Sequence, residues 1–379
     1  MLTHNVLRTT TILYGLFAAM ISVTAIELQP DGYYVSPGEN IQEAIELAAK
    51  NPTNKTVKVR AGTYQPRAKR QALIWLNRAH SGVRVEAVGE VTLTAANPAV
   101  ATKPNRSFPA VVNHVVYFGD GVQSNTVLKG FRITGANAYV TEKFMKQIEP
   151  DETVPKNSFF VTDGGGIKIF GRSYPVLEDL EVVDNYTTPC GAGVSVQHQG
   201  FNTNFVVMRN CVFRNNRAQV TGAAVDLLAG SAAHLINCLF VENASNLGED
   251  IVAKKAGEPQ FTNSGVLTIF QDSLAIVENC TFTGNRNAVD DLGGMSKYLS
   301  SIFHQNTVVI GLPGERYELD LMKGGVVKGC IINGRIIDPL NVVLATQNVL
   351  NGGAPEFDTN FVPRAKSYEG VGYRPTAAR

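Results

Sequence analysis

A short segment recurs along this chain, and its spacing forbids an ordinary closed core. Met208-Arg209-Asn210-Cys211-Val212-Phe213, Leu235-Ile236-Asn237-Cys238-Leu239-Phe240 and Val277-Glu278-Asn279-Cys280-Thr281-Phe282 superimpose residue by residue. Residues 127–133 and 176–182 align above them, and 327–332 is a degenerate later copy. The aligned positions 131, 180, 211, 238, 280 and 330 are separated by 49, 31, 27, 42 and 50 residues, so the shortest step is taken as one coil without insertion. Asn185, Asn216, Asn243 and Asn285 each fall five residues past the aligned Leu or Cys. Repeats of this length bury apolar surface only by stacking on one another. Strands stacked at ~4.8 Å turn repeated positions into ladders, with Leu or Cys inside and Asn in a turn.

A second strand begins after small residues in several repeats: Gly164-Gly165-Gly166-Ile167-Lys168-Ile169, Gly191-Ala192-Gly193-Val194-Ser195-Val196, Gly222-Ala223-Ala224-Val225-Asp226-Leu227, and Gly265-Val266-Leu267-Thr268-Ile269. With 35 glycines and only 18% charged residues, the composition favours an extended β architecture over a helical bundle. One helix is expected near residues 40–50, where Ile41, Ala44, Ile45 and Ala48 fall on one face and would cover the first coil. The expected fold is all-β, a single parallel β-solenoid over residues 26–379 with a short N-terminal capping helix. A Pro- and Gly-rich tail, residues 352–379, is expected to cover the last coil.

Residues 1–25 read as a signal peptide, with His4 and Arg8 before an apolar stretch that ends in Val23-Thr24-Ala25. A membrane anchor is the rival, because the stretch approaches spanning length. Cleavage would leave a secreted, periplasmic or cell-surface chain with no membrane attachment. Lys plus Arg number 34 against 33 Asp plus Glu, which gives no electrostatic footprint for nucleic acid. Four of the five cysteines share the inward ladder position and are expected to be buried free thiols. Cys190, outside the ladder, is the candidate reactive thiol.

The Ile41-Gln42-x-Ala44-Ile45 helix, the Val57-x-Val59-x-x-Gly62-Thr63-Tyr64 strand and turn, and the Asn-Cys-x-Phe coils resemble the pectin lyase-like superfamily of right-handed parallel β-helix proteins. The resemblance covers roughly residues 29–361 and implies a right-handed coil. It leaves activity open, because the superfamily includes polysaccharide lyases, glycoside hydrolases, esterases and non-catalytic surface proteins. The Arg-x-Pro-x-x-Arg segment of pectate lyases, the Gly-His-Gly of polygalacturonases and the Gln-Asp-Thr-Leu-Tyr of pectin methylesterases are not found. The one Asp-Asp pair, Asp290-Asp291, is expected in a turn beyond Phe282.

Alternation along the Gly-led strands places Lys168, Ser195, Asp226 and Thr268 outward in one column, with Lys168 and Asp226 two coils or ~10 Å apart. His198 follows three residues after Ser195. Lys168, Asp226 and His198 are therefore the candidate catalytic residues, the cation for a uronate and the other two for acid and base roles. The plainer alternative is a solvated face. Insertions at residues 96–112, 138–163 and 246–264 each precede a strand of this set and would form a wall beside it. Residues 139–146, helical in propensity, are a candidate lining for that cleft. A polysaccharide is the expected partner, by lyase or hydrolase chemistry. A non-catalytic surface module is the alternative. No cofactor is evident, with calcium left open, and the oligomeric state is not read from the sequence.

Overall fold

The computed structural model describes residues 26–137, 163–228, 230–248, 263–344 and 347–376. The expected helix is Ile41–Lys50, with Ile41, Ala44, Ile45 and Ala48 buried. Its N-terminus is capped by the Asn40 side chain, which accepts from the Gln42 amide. Gln42 pins the helix to the first coil: its Oε1 accepts from the Trp75 amide at 2.9 Å and its Nε2 donates to the Trp75 carbonyl at 3.1 Å.

Beyond the helix the chain winds through stacked coils. Among the described strands every ladder is parallel except the first pair, Glu27–Gln29 with Gly32–Val35. A typical coil has three strands, such as Val206–Arg209, Val212–Arg214 and Val225–Leu227. The first two kinds of strand stack into an eighteen-stranded sheet, and the third kind into a nine-stranded sheet. The bend between the first and second strand is set by a column of left-handed residues, including Asp179, Asn210, Asn237 and Asn279 at φ 52 to 55°. Asparagine tolerates this conformation better than most residues with a Cβ, which explains why it precedes Cys in three repeats. Inside, Phe213, Phe240, Phe282 and Phe303 stack with centroids 4.8, 4.2 and 5.1 Å apart. Each such pair adds roughly 0.5–1.5 kcal/mol beyond its burial.

The asparagine ladder runs further than the repeats indicate. Asn185, Asn216, Asn243 and Asn285 each donate from Nδ2 to the Oδ1 of the next ladder asparagine, the last being Asn306, at 3.1, 3.0, 3.0 and 2.7 Å. The same oxygens accept the preceding backbone N–H, as Asn243 Oδ1 does from Asn216 at 2.9 Å. The last amide, Asn306, donates to the carboxylate of Glu318, which terminates the chain of dipoles. Asn306 belongs to a coil that the sequence comparison passed over, because Ser301 stands in the Cys position and donates no sequence signal. Cys280 N–H bonds Ser301 Oγ, a residue 21 positions on, so the shortest coil is 21 residues rather than 27.

The tail also departs from expectation. Val343, in the loop before the last strand, joins the core. The tail itself runs back along the flank: Tyr368 packs on Ile302 and Ile331, Tyr373 on Leu239 and Val241, and the Arg374 amide donates to Asn237 Oδ1 at 2.7 Å. Its apolar side chains thus cover outward residues of four coils instead of the solenoid end.

Replacing Asn243 by Ala leaves the buried Asn216 N–H and Nδ2 without their acceptor, at about 1–3 kcal/mol for each unsatisfied group. Denaturant unfolding should show a loss of ~3 kcal/mol or more, against roughly 1 kcal/mol for Cys238→Ala, which removes only a small apolar group. Glu318 is 1% exposed, and burial raises it from 4.5 to about 7 despite the Asn306 hydrogen bonds. Because the folded state keeps the proton that the unfolded chain has released, stability should be greatest below the unfolded value. It should fall by about 3 kcal/mol as pH rises to about 7, a slope that Glu318→Gln removes.

Candidate functional site on the nine-stranded sheet

The Gly-led strands form the nine-stranded sheet, and its register builds one outward file: Tyr117, Lys168, Ser195, Asp226, Thr268, Asp290 and Asp320. Lys168 and Asp226 stand two rungs apart, as the spacing predicts. The file is not a solvated face. Lys168 is 2% exposed, and Ser195, Asp226 and Thr268 are fully buried.

The cause is the glycine that opens each corner. Gly164, Gly191 and Gly222 lie at φ +76, +64 and +54°, and each turn folds back over its own strand. A Cβ at Gly222 would stand 2.4 Å from the Asp226 Cβ, and one at Gly164 would stand 2.9 Å from the Lys168 Cα. Asp163 and Thr221, just before two of these glycines, are thereby laid beside Lys168 and Asp226. Lys168 Nζ lies 3.9 Å from Asp163 Oδ2 and donates to Ser195 Oγ at 3.1 Å and Gln197 Oε1 at 2.9 Å. Thr221 Oγ1 donates to Asp226 Oδ1 at 3.0 Å.

Burial dominates the titration of this cluster. It lowers Lys168, opposed by the charges of Asp163 and Asp226. It raises Asp226 well above the carboxylate range, and Asp163 raises it further. Cys190 is also raised by burial, so the candidate reactive thiol is a buried neutral one.

His198 does not join these residues. Its Nε2 donates to the Ser173 carbonyl at 2.9 Å, and its Nδ1 accepts from the Ala232 amide at 3.3 Å. With both nitrogens engaged and burial pushing it down to about 4, it is a neutral ring that ties three coils at a corner. The insertion at residues 96–112 does lead into a strand of this sheet, Val112–Phe118. Residues 138–162 and 249–262, with the candidate lining at 139–146, lie outside the described residues, as do residues 1–25.

The open end of the file lies beyond the four residues that alternation places in it. Asp290-Asp291 is in the strand Val289–Asp291, not a turn. Asp291 points inward, accepting from Tyr298 Oη at 2.8 Å and from the Gly293 and Gly294 amides. Asp290 points outward and pairs in register with Asp320 on the next rung. Asp290 is 7% exposed and is raised well above its ordinary value by burial first and by Asp320 next. Asp320 is only half-buried and is raised to about 6, chiefly by desolvation. The ladder asparagine precedes the file residue by ten positions at Asn185 and Asn216 but by five at Asn285, so counting along the repeats does not reach Asp290. Asp320 follows the unrecognised coil and had no signal in the repeats.

At the other end of the sheet, Asp120 holds two arginines. Arg172 donates to both its oxygens, at 2.9 and 2.5 Å, and Arg78 donates at 2.8 Å. The Arg172 hydrogen bonds hold Asp120 down at about 2. The Arg172 guanidinium lies 5.3 Å from the ring centre of the exposed Phe201.

Residues 116–266 match the family described as a right handed beta helix region. The fold is thus an all-β, right-handed parallel β-helix. The matched span holds the Lys168–Asp226 part of the file and ends before Asp290. No curated protein and no solved structure matches the chain. Among the described residues no three His, Cys, Asp or Glu side chains are grouped to hold a metal ion, and no helix is long and apolar enough to cross a membrane.

All five cysteines are free and buried. A thiol reagent should label none of them in the folded protein and all five once it is denatured, as counted by absorbance of the released chromophore.

Proposed function

We propose that the protein is an exported β-helix enzyme that cleaves an acidic polysaccharide by acid–base hydrolysis on the outer face of the nine-stranded sheet. The observation that carries this is the pairing of Asp290 and Asp320 on adjacent rungs. Two carboxylates on adjacent rungs, both raised by burial and Asp290 raised further by Asp320, supply a protonated acid and an ionised base in one site. Asp320, half-buried and raised to about 6, is the base or nucleophile. Asp290, more deeply buried and raised well above its ordinary value, is the acid. Hydrolysis of a glycosidic bond needs this division of labour.

Arg78, Arg172 and Phe201 support an acidic polymer as the ligand. Two arginines share one Asp120 carboxylate beside an exposed ring, a combination suited to a uronate carboxylate and an apolar sugar face. The rung of Tyr117 is six steps from that of Asp320, about 29 Å along the axis at the inter-strand spacing, a span for an extended chain. Lys168 and Asp226, buried on the second and fourth rungs of the file, hold its geometry in this proposal, and His198 holds the corner. A leader ending near Ala25 would direct the protein out of the cytoplasm.

Uronate and neutral polysaccharides should be incubated with the purified protein, with and without calcium, while new reducing ends and unsaturated products are followed. Reducing ends without unsaturation are expected on a uronate polymer. Asp290→Asn and Asp320→Asn should each lower kcat/KM by ~100-fold or more. The rate should rise with pH through about 6 as Asp320 ionises and fall where Asp290 loses its proton. Unsaturated products would replace hydrolysis by elimination. Binding without any product would reduce the protein to a surface module.

A further inference from the structure

We propose that Lys168 and Asp163 condense into an intramolecular amide, an isopeptide cross-link closing the turn over Gly164, Gly165 and Gly166. This site is independent of the Asp290–Asp320 pair. A lysine ammonium and a carboxylate at a surface exchange partners with water; these two cannot. Asp163 is fully buried, Lys168 is 2% exposed, and Nζ stands 3.9 Å from Oδ2. Two neutral acceptors, Ser195 Oγ and Gln197 Oε1, bind the nitrogen. A neutral amine would donate its two N–H bonds to them, leaving its lone pair for Asp163.

The turn enforces the approach. Gly164 at φ +76° lets the backbone fold onto Lys168, and His114 Nδ1 holds the Gly164 carbonyl at 2.8 Å. Groups fixed this way react at effective concentrations that intermolecular reactants never reach.

Asp226 is the proton carrier. It is fully buried, its Oδ1 accepts from Thr221, and its Oδ2 makes no hydrogen bond. It lies close enough for its charge to act on both Lys168 and Asp163, and burial favours its protonated form. The balance is simple. A proton passes from the ammonium to the Asp163 carboxylate. Nζ then attacks Cγ and forms the C–N bond, the C–O bond to one Asp163 oxygen breaks, and that oxygen leaves as water. Asp226 gives its proton to the departing hydroxyl and takes the one that nitrogen sheds, so it ends unchanged. No oxidant, metal or second substrate is consumed. The product also replaces a buried ion pair, which is costly to desolvate, by a neutral amide.

Intact mass spectrometry of the folded wild-type chain tests this directly. The expected mass is lower than that of the chain by one water, with trypsin failing to cut after Lys168 in the denatured protein and no fragment ions between residues 163 and 168. Lys168→Met should show its full mass. Asp163→Asn should lose one ammonia in place of water, since the same amide forms with a different leaving group. Asp226→Ala should slow bond formation by ~100-fold. Full mass after prolonged incubation of the folded wild type overturns the proposal. So does loss of one water with cleavage after Lys168 intact, because that product is a succinimide at Asp163-Gly164. Bond formation at the wild-type rate in Asp226→Ala removes Asp226 from the step.

Discussion

Each coil hands its hydrogen bonds to the next, and every other feature depends on that transfer. Backbone N–H groups of one rung meet the carbonyls of its neighbour, while the asparagine amides repeat the pattern in side chains from Asn185 to Asn306. A slip of one residue on any rung would break both sets together, leaving buried donors and acceptors unpaired. Register is therefore held firmly, and a residue's neighbours above and below are decided by its place in the coil. The ladder must end on an acceptor, and Glu318 supplies it.

Firm register makes columns, and columns concentrate chemistry. On the nine-stranded sheet one column collects a lysine, hydroxyls and three aspartates that are far apart in sequence. For Lys168, Ser195 and Asp226 dryness follows from the corner before each, whereas Thr268 is fully buried behind Gly265, which is not left-handed. Left-handed glycines at 164, 191 and 222 fold each corner over its own strand and seal Lys168, Ser195 and Asp226. Before Val289 the left-handed residue is Asn287, one position closer to the strand than those glycines are to theirs. Before Leu319 no residue after Gly311 has positive φ. The cover thins along the same direction, and Asp290 and Asp320 become progressively more accessible.

The two ends of the file are thus suited to different chemistry. Water exclusion around Asp163 and Lys168 favours neutral forms and condensation within the chain. Partial access at Asp320 permits ionisation, a bound polymer and exchange of protons with solvent. The buried rungs between them run without a break in the sheet, so the same stacking that pairs two aspartates at one end stiffens the other.

Repetition made the solenoid legible. The Cys, Phe and Asn positions recur at local offsets, and helical spacing in residues 41–50 marked the cap, so both could be read without any long-range knowledge. The coil holding Ser301 and Asn306 escaped because serine replaces cysteine there, and with it went Asp320. Alternation also placed Lys168 and Asp226 in one column, since side-chain direction in a strand is a local property. Their burial was not local. It arises from the sign of φ at a preceding glycine and from which residue that turn lays on top, and glycine in a sequence permits such a turn without requiring it. The sequence by itself determined the coil, its ladders and four members of the file, Lys168, Ser195, Asp226 and Thr268. Only the tertiary structure decided which members meet solvent, because exposure depends on how separate corners stack, and that has no period in the chain.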